Sequence, residues 1–374
     1  MSTARAVGGR SARVSAAAVL VGVVLVVVVC IPRFAAYRDI DPSDVHLTPQ
    51  PNGWYMELDD GASIGRYSFD NYSYIAYVDH FRGDFDRYPI YGPWRWRLLP
   101  SWLASFTPID NPATALAAVS LAFLVVGAVA LIAASARNGL ERRGQLIVAA
   151  LYALSFPLLW YGTSGYVDGP VMAVLCMGLF AIQSERWWLY FLLLPIGFLV
   201  KETYLLIVAV AAVYKWVRSR RGLDWVPVLV GSIGIIGVMW FGVRWLLPTP
   251  RTLDWIPRLP RSMWNLSRPE ALVSFILTCG VAVPCALLEI RRRWRDRATD
   301  PAGQARWRDD LHLVVGLALG FAVAVHGYLT AYADGRHAWT MFPFAVLLAA
   351  PYLLRRFGAA RGQDDVAFDG GAPA

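Results

Sequence analysis

Residues 67–105, YSFDNYSYIAYVDHFRGDFDRYPIYGPWRWRLLPSWLAS, form the one long polar, acidic and aromatic passage in an otherwise apolar chain. Everything beyond them alternates apolar runs with short charged connectors. Runs of about 20 apolar residues match the ~30 Å hydrocarbon core of a bilayer, so the alternation reads as a membrane body holding this loop over one face. Composition agrees, since 57% hydrophobic residues against 17% charged leaves too little polar surface for a soluble chain of this length. The expected fold class is an all-α polytopic membrane protein with roughly ten transmembrane helices and a long first external loop.

The apolar runs fall at 14–31, 112–134, 146–161, 170–182, 187–200, 204–217, 226–247, 271–290, 311–331 and 339–354. Arg5, Arg10 and Arg13 precede the first, which is longer than a secretory signal core and reads as an uncleaved helix. A signal peptide cut near Ala36 is the alternative. The basic connectors then set the sides: residues 1–13 cytoplasmic, 32–111 external with short helices, 14–354 one transmembrane domain, and 355–374 a disordered cytoplasmic tail. Both termini lie inside on this scheme, in a bacterial plasma membrane. The net charge of +8 belongs to these connectors, which removes nucleic acid as the expected partner. Cys30, Cys176, Cys279 and Cys285 sit within apolar runs without metal or disulfide spacing. One external connector, 248–268, breaks the charge rule by mixing Trp255 and Trp264 with Arg251, Arg258 and Arg261. Such a segment anchors at headgroups or grips lipid phosphates.

Several residues have the chemistry of a site. Asp70 stands where aromatic and apolar residues recur at helical spacing, so its carboxylate can cap a helix, bind a cation or take a proton from a hydroxyl. Arg95 and Arg97 precede an apolar run at the depth of lipid phosphates, and a guanidinium fork suits a phosphodiester there, anchoring beside Trp94 and Trp96 being the plainer use. Lys201 and Glu202 join two runs of about 14 residues, or ~21 Å of helix, too short for the full hydrocarbon core. Charge at such depth marks a polar cavity or ligand, unless the two neutralise each other at a hairpin tip. Asp168 opens a helix before Gly169 and Pro170, as an N-cap or a cavity acid, and Arg336 and His337 share its side of the membrane. No Gly-rich phosphate loop, zinc spacing or nucleophile elbow is present.

The order of these motifs resembles the GT-C superfamily of membrane glycosyltransferases, nearest the aminoarabinose transferase and protein O-mannosyltransferase branch. The resemblance rests on DNYSYIA at 70–76, GDF at 83–85 and PIYGPWRWRLLP at 89–100 in the first loop, then VDGP at 167–170, FLVKET at 198–203 and DGRHAW at 334–339. It implies a polyprenyl-phosphate sugar donor, an outer-face site, an inverting single displacement, and a glycan, lipid or protein acceptor. It carries the catalytic role onto Asp70 and donor-phosphate binding onto Arg97, Lys201 and Arg95, with Asp168, Glu202, Arg336, His337 and Tyr74 in support. No cofactor is implied outright. A divalent cation is left open, because Asn71 stands where that branch commonly shows a second acid. A transporter or lipid flippase, or a non-catalytic envelope-assembly protein, are the competing classes.

Overall fold

The computed structural model describes residues 12–35, 45–50, 53–58, 63–64, 69–83, 96–219, 222–246, 263, 265–330 and 335–368. Its first helix, α1 (Ala16–Ala35), shows how the sequence sorts its faces. Ala18, Gly22, Val26 and Cys30, spaced by four, are buried, whereas Leu20, Val24, Val28 and Ile31 on the other side are half exposed or more. Small residues let backbones approach, and large apolar ones face outward, the arrangement a helix takes when its solvent is lipid. The small face of α1 packs on α4 (Pro112–Arg137) and α5 (Arg142–Ala153), where a Cβ at Gly22 would press on Ile132.

Between α1 and α4 the first loop contains a three-stranded antiparallel sheet, β1 (Val45–Gln50), β2 (Gly53–Leu58) and β3 (Ser63–Ile64), in that order, with Val45 opposite Leu58 and Met56 opposite Ile64. The sequence reading anticipated only short helices here. Two are present, α2 (Phe69–Arg82) and α3 (Leu99–Ser105), and they pack on each other and on α4. Tyr74, Ile75, Tyr77 and Val78 of α2 bury against Ala104, Ala113, Leu116 and Val167, a second core distinct from that of the main bundle.

The run at 146–161 breaks in two: α5 ends at Ala153, and α6 (Phe156–Tyr161) restarts behind Ser155 with Pro157 in its first turn, where a missing N–H costs nothing. α7 (Asp168–Gln183) is the most enclosed helix and lies along α4. α8 (Trp187–Val200) ends at Lys201, whose extended backbone leads into a 3₁₀ turn, Glu202–Leu205, and then α9 (Leu206–Arg218). At 14 and 13 residues, α8 and α9 are ~21 and ~20 Å long. α10 (Trp225–Leu246) shows most of its surface to the outside. The run at 271–290 is also two pieces, α11 (Pro269–Cys279) and α12 (Ala282–Thr299), bent by 56° at Gly280, whose φ of +47° ends the first piece. α13 (Pro301–Thr330) precedes a 3₁₀ turn, Gly335–Met341, and the last helix, α14 (Phe342–Phe368). Its backbone stays helical past 354, where the sequence placed the start of a disordered tail. Glu289 of α12, fully buried, accepts from Arg292, Arg293 and Arg355, stapling α12 to α14.

Among the described residues five helices are long and apolar enough to cross a membrane, or six if the bent α11–α12 pair is one span. α7 and α8 are shorter apolar helices. The chain is thus a helical membrane protein. All four cysteines are free. Gly197 faces the ring of the fully buried Tyr204 so closely that any Cβ would overlap it. Gly197→Ala is therefore expected to cost about 1–3 kcal/mol, read as a lower Tm of the detergent-solubilised protein. Gly237→Ala on α10, with open space around it, should be neutral or stabilising by helix propensity.

Candidate functional site

The site grows from helix ends. α2 is held by its polar residues: Asn71 Nδ2 donates to the Ser164 carbonyl (2.7 Å), and the Tyr74 carbonyl accepts from Ser101 Oγ of α3 (2.7 Å). Gly165, at φ +79°, passes beneath Asn71 and Ile75 in a left-handed backbone conformation that any side chain would strain. This docking brings Tyr74 over Arg97, the residue that leads into α3. Arg97 donates to both oxygens of Glu202, from Nε to Oε2 at 2.9 Å and from Nη2 to Oε1, and from Nη1 to the Tyr74 hydroxyl at 3.0 Å. One residue earlier, Lys201 Nζ donates to Asp168 Oδ1 at 2.5 Å. Asp168 is 3% exposed, Lys201 8% and Arg97 8%, so neither pair can be credited to surface charge.

Residues from four separate segments thus meet. Arg336 and His337, in the turn before α14, lie close enough to act electrostatically on Asp168, and the Arg336 guanidinium sits 4.2 Å over the Tyr166 ring. With Arg97, Lys201 and Arg336 against Asp168 and Glu202, the cluster carries three cations and two anions among the described residues. The Arg97 guanidinium, by charge and by two hydrogen bonds, compensates the buried Glu202 carboxylate. Lys201 uses one of its three donors in these bonds, and Arg97 three of its five. The remaining N–H groups can still serve a phosphate.

The sequence expectations come out unevenly. Tyr74, Arg97, Asp168, Lys201 and Glu202 converge, with Arg336 and His337 beside them. Asp70 lies in the first turn of α2, four residues before Tyr74, but its side chain lies outside the described residues, as does all of Arg95. Lys201 and Glu202 are not a self-neutralised hairpin tip, because each takes its hydrogen-bonded partner from a different segment. Asp168 is not an N-cap; Val167 holds that position without a capping bond, and the Asp168 carboxylate is turned to Lys201. Trp96 packs on Trp240 of α10 (5.3 Å between ring centroids). Among the described residues no three His, Cys, Asp or Glu side chains gather as metal ligands.

Beside the cluster, across Tyr166 and Asn71, is a cleft of about 670 Å³ between α6 and the start of α11. Sequence reading gave it no role. Its walls come from segments far apart in the chain, and Asn71, Tyr166 and Trp160 look like ordinary loop and belt residues when read singly. No protein-family profile, curated protein or solved structure matches this chain.

Removing one partner of a buried pair strands the other charge. Lys201→Ala is expected to lower stability by about 3–5 kcal/mol, measured by denaturant unfolding in micelles. Adding Asp168→Ala to it should recover part of that loss, so that the double-mutant cycle shows strong coupling.

Proposed function

We propose that this protein is an integral membrane glycosyltransferase of the GT-C kind, moving a sugar from a polyprenyl-phosphate donor to a cell-envelope acceptor on the outer face. The observation that carries the reading is the junction of the first loop, the start of α7, the α8–α9 junction and the turn before α14 in one buried ionic cluster. A scaffold has no need of five ionisable groups at that depth, and each costs desolvation unless a polar ligand or partner repays it. The proposed topology is about ten membrane-crossing segments in a bacterial plasma membrane, both termini cytoplasmic, with the short α8 and α9 completing the count.

In this reading Asp70 takes the proton from the acceptor hydroxyl while that oxygen forms its bond to the anomeric carbon. The bond from that carbon to the donor phosphate breaks, its electron pair leaves on the phosphate oxygen, and the sugar inverts. Lys201 and Arg97 carry free N–H groups at the depth where the phosphate of a lipid-borne donor would lie, so charge developing on the leaving group is met by fixed cations. Asp168 and Glu202 act through those cations by orienting them. Tyr74 orients Arg97.

The test is transfer from labelled polyprenyl-phosphate sugars by purified protein in nanodiscs. Asp70→Asn is expected to lower turnover at least about a thousandfold with the protein still folded. Lys201→Gln should raise the donor KM far more than the acceptor KM. Near-normal turnover of Asp70→Asn removes Asp70 from the base role. Movement of the lipid between leaflets without transfer replaces the reading with a flippase, and neither activity with a scaffold.

A further inference from the structure

The cleft beside the ionic cluster has a chemistry of its own. Its volume of about 670 Å³ is in the range of small-molecule sites. Two cations stand on its lining, Arg33 at the end of α1 and Arg268 just before α11. Arg33 lies 3.5 Å over the Trp160 ring, and the Arg268 side chain is 18% exposed. Glu270 also lines it, but its side chain is 73% exposed and 3.9 Å from Arg268, a water-facing partner at the limit of an ion pair. The wall is apolar: Trp160, Val273 and Leu277 line the cleft and are each 45–52% exposed, so the cleft opens through an apolar surface of the kind that lipid covers. A cationic end joined to an apolar, sideways-opening wall matches a lipid and not a freely dissolved anion.

A second observation sharpens the ligand. Asn71 lines the same cleft. Its Nδ2 donates to the Ser164 carbonyl, which fixes the orientation of the amide, and its buried Oδ1 accepts no hydrogen bond among the described residues. A fixed, buried acceptor calls for a donor from the occupant. We propose that this cleft binds an anionic lipid whose headgroup carries a hydroxyl: phosphate toward Arg33 and Arg268, hydroxyl donated to Asn71 Oδ1, acyl chain along Trp160, Val273 and Leu277. The proposal depends on the membrane placement of these helices and not on the transferase reading.

The probe is phosphatidylglycerol, compared with phosphatidylcholine and with phosphatidylmethanol, which keeps the charge but lacks the hydroxyl. Bound lipid is measured by native mass spectrometry of the full chain released from mixed nanodiscs. Phosphatidylglycerol should be retained at least about tenfold over phosphatidylcholine and severalfold over phosphatidylmethanol. Val273→Trp, which fills the mouth from the exposed side, and Arg268→Gln should each cut that retention at least about fivefold, whereas Val238→Trp on α10 should leave it unchanged. In Asn71→Leu the two anionic lipids should bind alike. Equal retention of phosphatidylglycerol and phosphatidylcholine, or retention unaffected by both Val273→Trp and Arg268→Gln, overturns the proposal. Displacement by millimolar inorganic phosphate also overturns it, by showing a free-anion site.

Discussion

The structure depends on neutralising charge where there is little water to do it. Lys201 and Glu202 sit between two half-length apolar helices, and an uncompensated ion at that depth would cost several kcal/mol. Compensation comes from opposite directions: Asp168 from the main bundle, and Arg97 from the first loop. The Arg97–Glu202 pair therefore binds the loop to the helices, and the Lys201–Asp168 pair binds the start of α7 to the end of α8. Tyr74 extends the same bond network to α2, so the position of a whole first-loop helix is set by a requirement that begins in the buried interior of the bundle.

Packing follows the inverse of the soluble rule. α1 turns Ala18, Gly22, Val26 and Cys30 inward and Leu20, Val24 and Val28 outward, and α10 exposes Val238, Phe241 and Trp245. Association of such helices draws on close contact between small faces, because hydrocarbon wets a leucine as well as another helix does. The polar clusters add what packing lacks, which is direction. One fixes the ends of α7 and α8; the other, around Glu289, fixes α12 against α14 at the opposite extreme of the chain's charge pattern.

Much of this was legible in the residues. Every apolar run became helix, and the break at Lys201 fell where charge interrupts two short runs. Helix interruptions were less legible. Ser155 with Pro157, and Gly280, divide runs whose hydropathy is continuous, because turn chemistry is local and a hydropathy window averages over it. The site was legible as a set of residues but not as a set of partners. Nothing in sequence spacing says that Glu202 meets Arg97 and not its neighbour Lys201; that choice is made by the extended backbone at Lys201, which sends consecutive side chains to different sides. The cleft was illegible for a related reason, being made of α1, α2, α6 and α11 together.

The half-length of α8 and α9 has a consequence for biogenesis. Neither helix alone is long enough to cross the full hydrocarbon core, and Trp187 of α8 lies against Tyr214 of α9, so the two form one hairpin whose tip bears Lys201 and Glu202. Arg97 and Asp168 precede that tip in the chain and leave the ribosome before it. Both counter-charges are thus synthesised before the tip, and the order of synthesis matches the order in which the charges need one another.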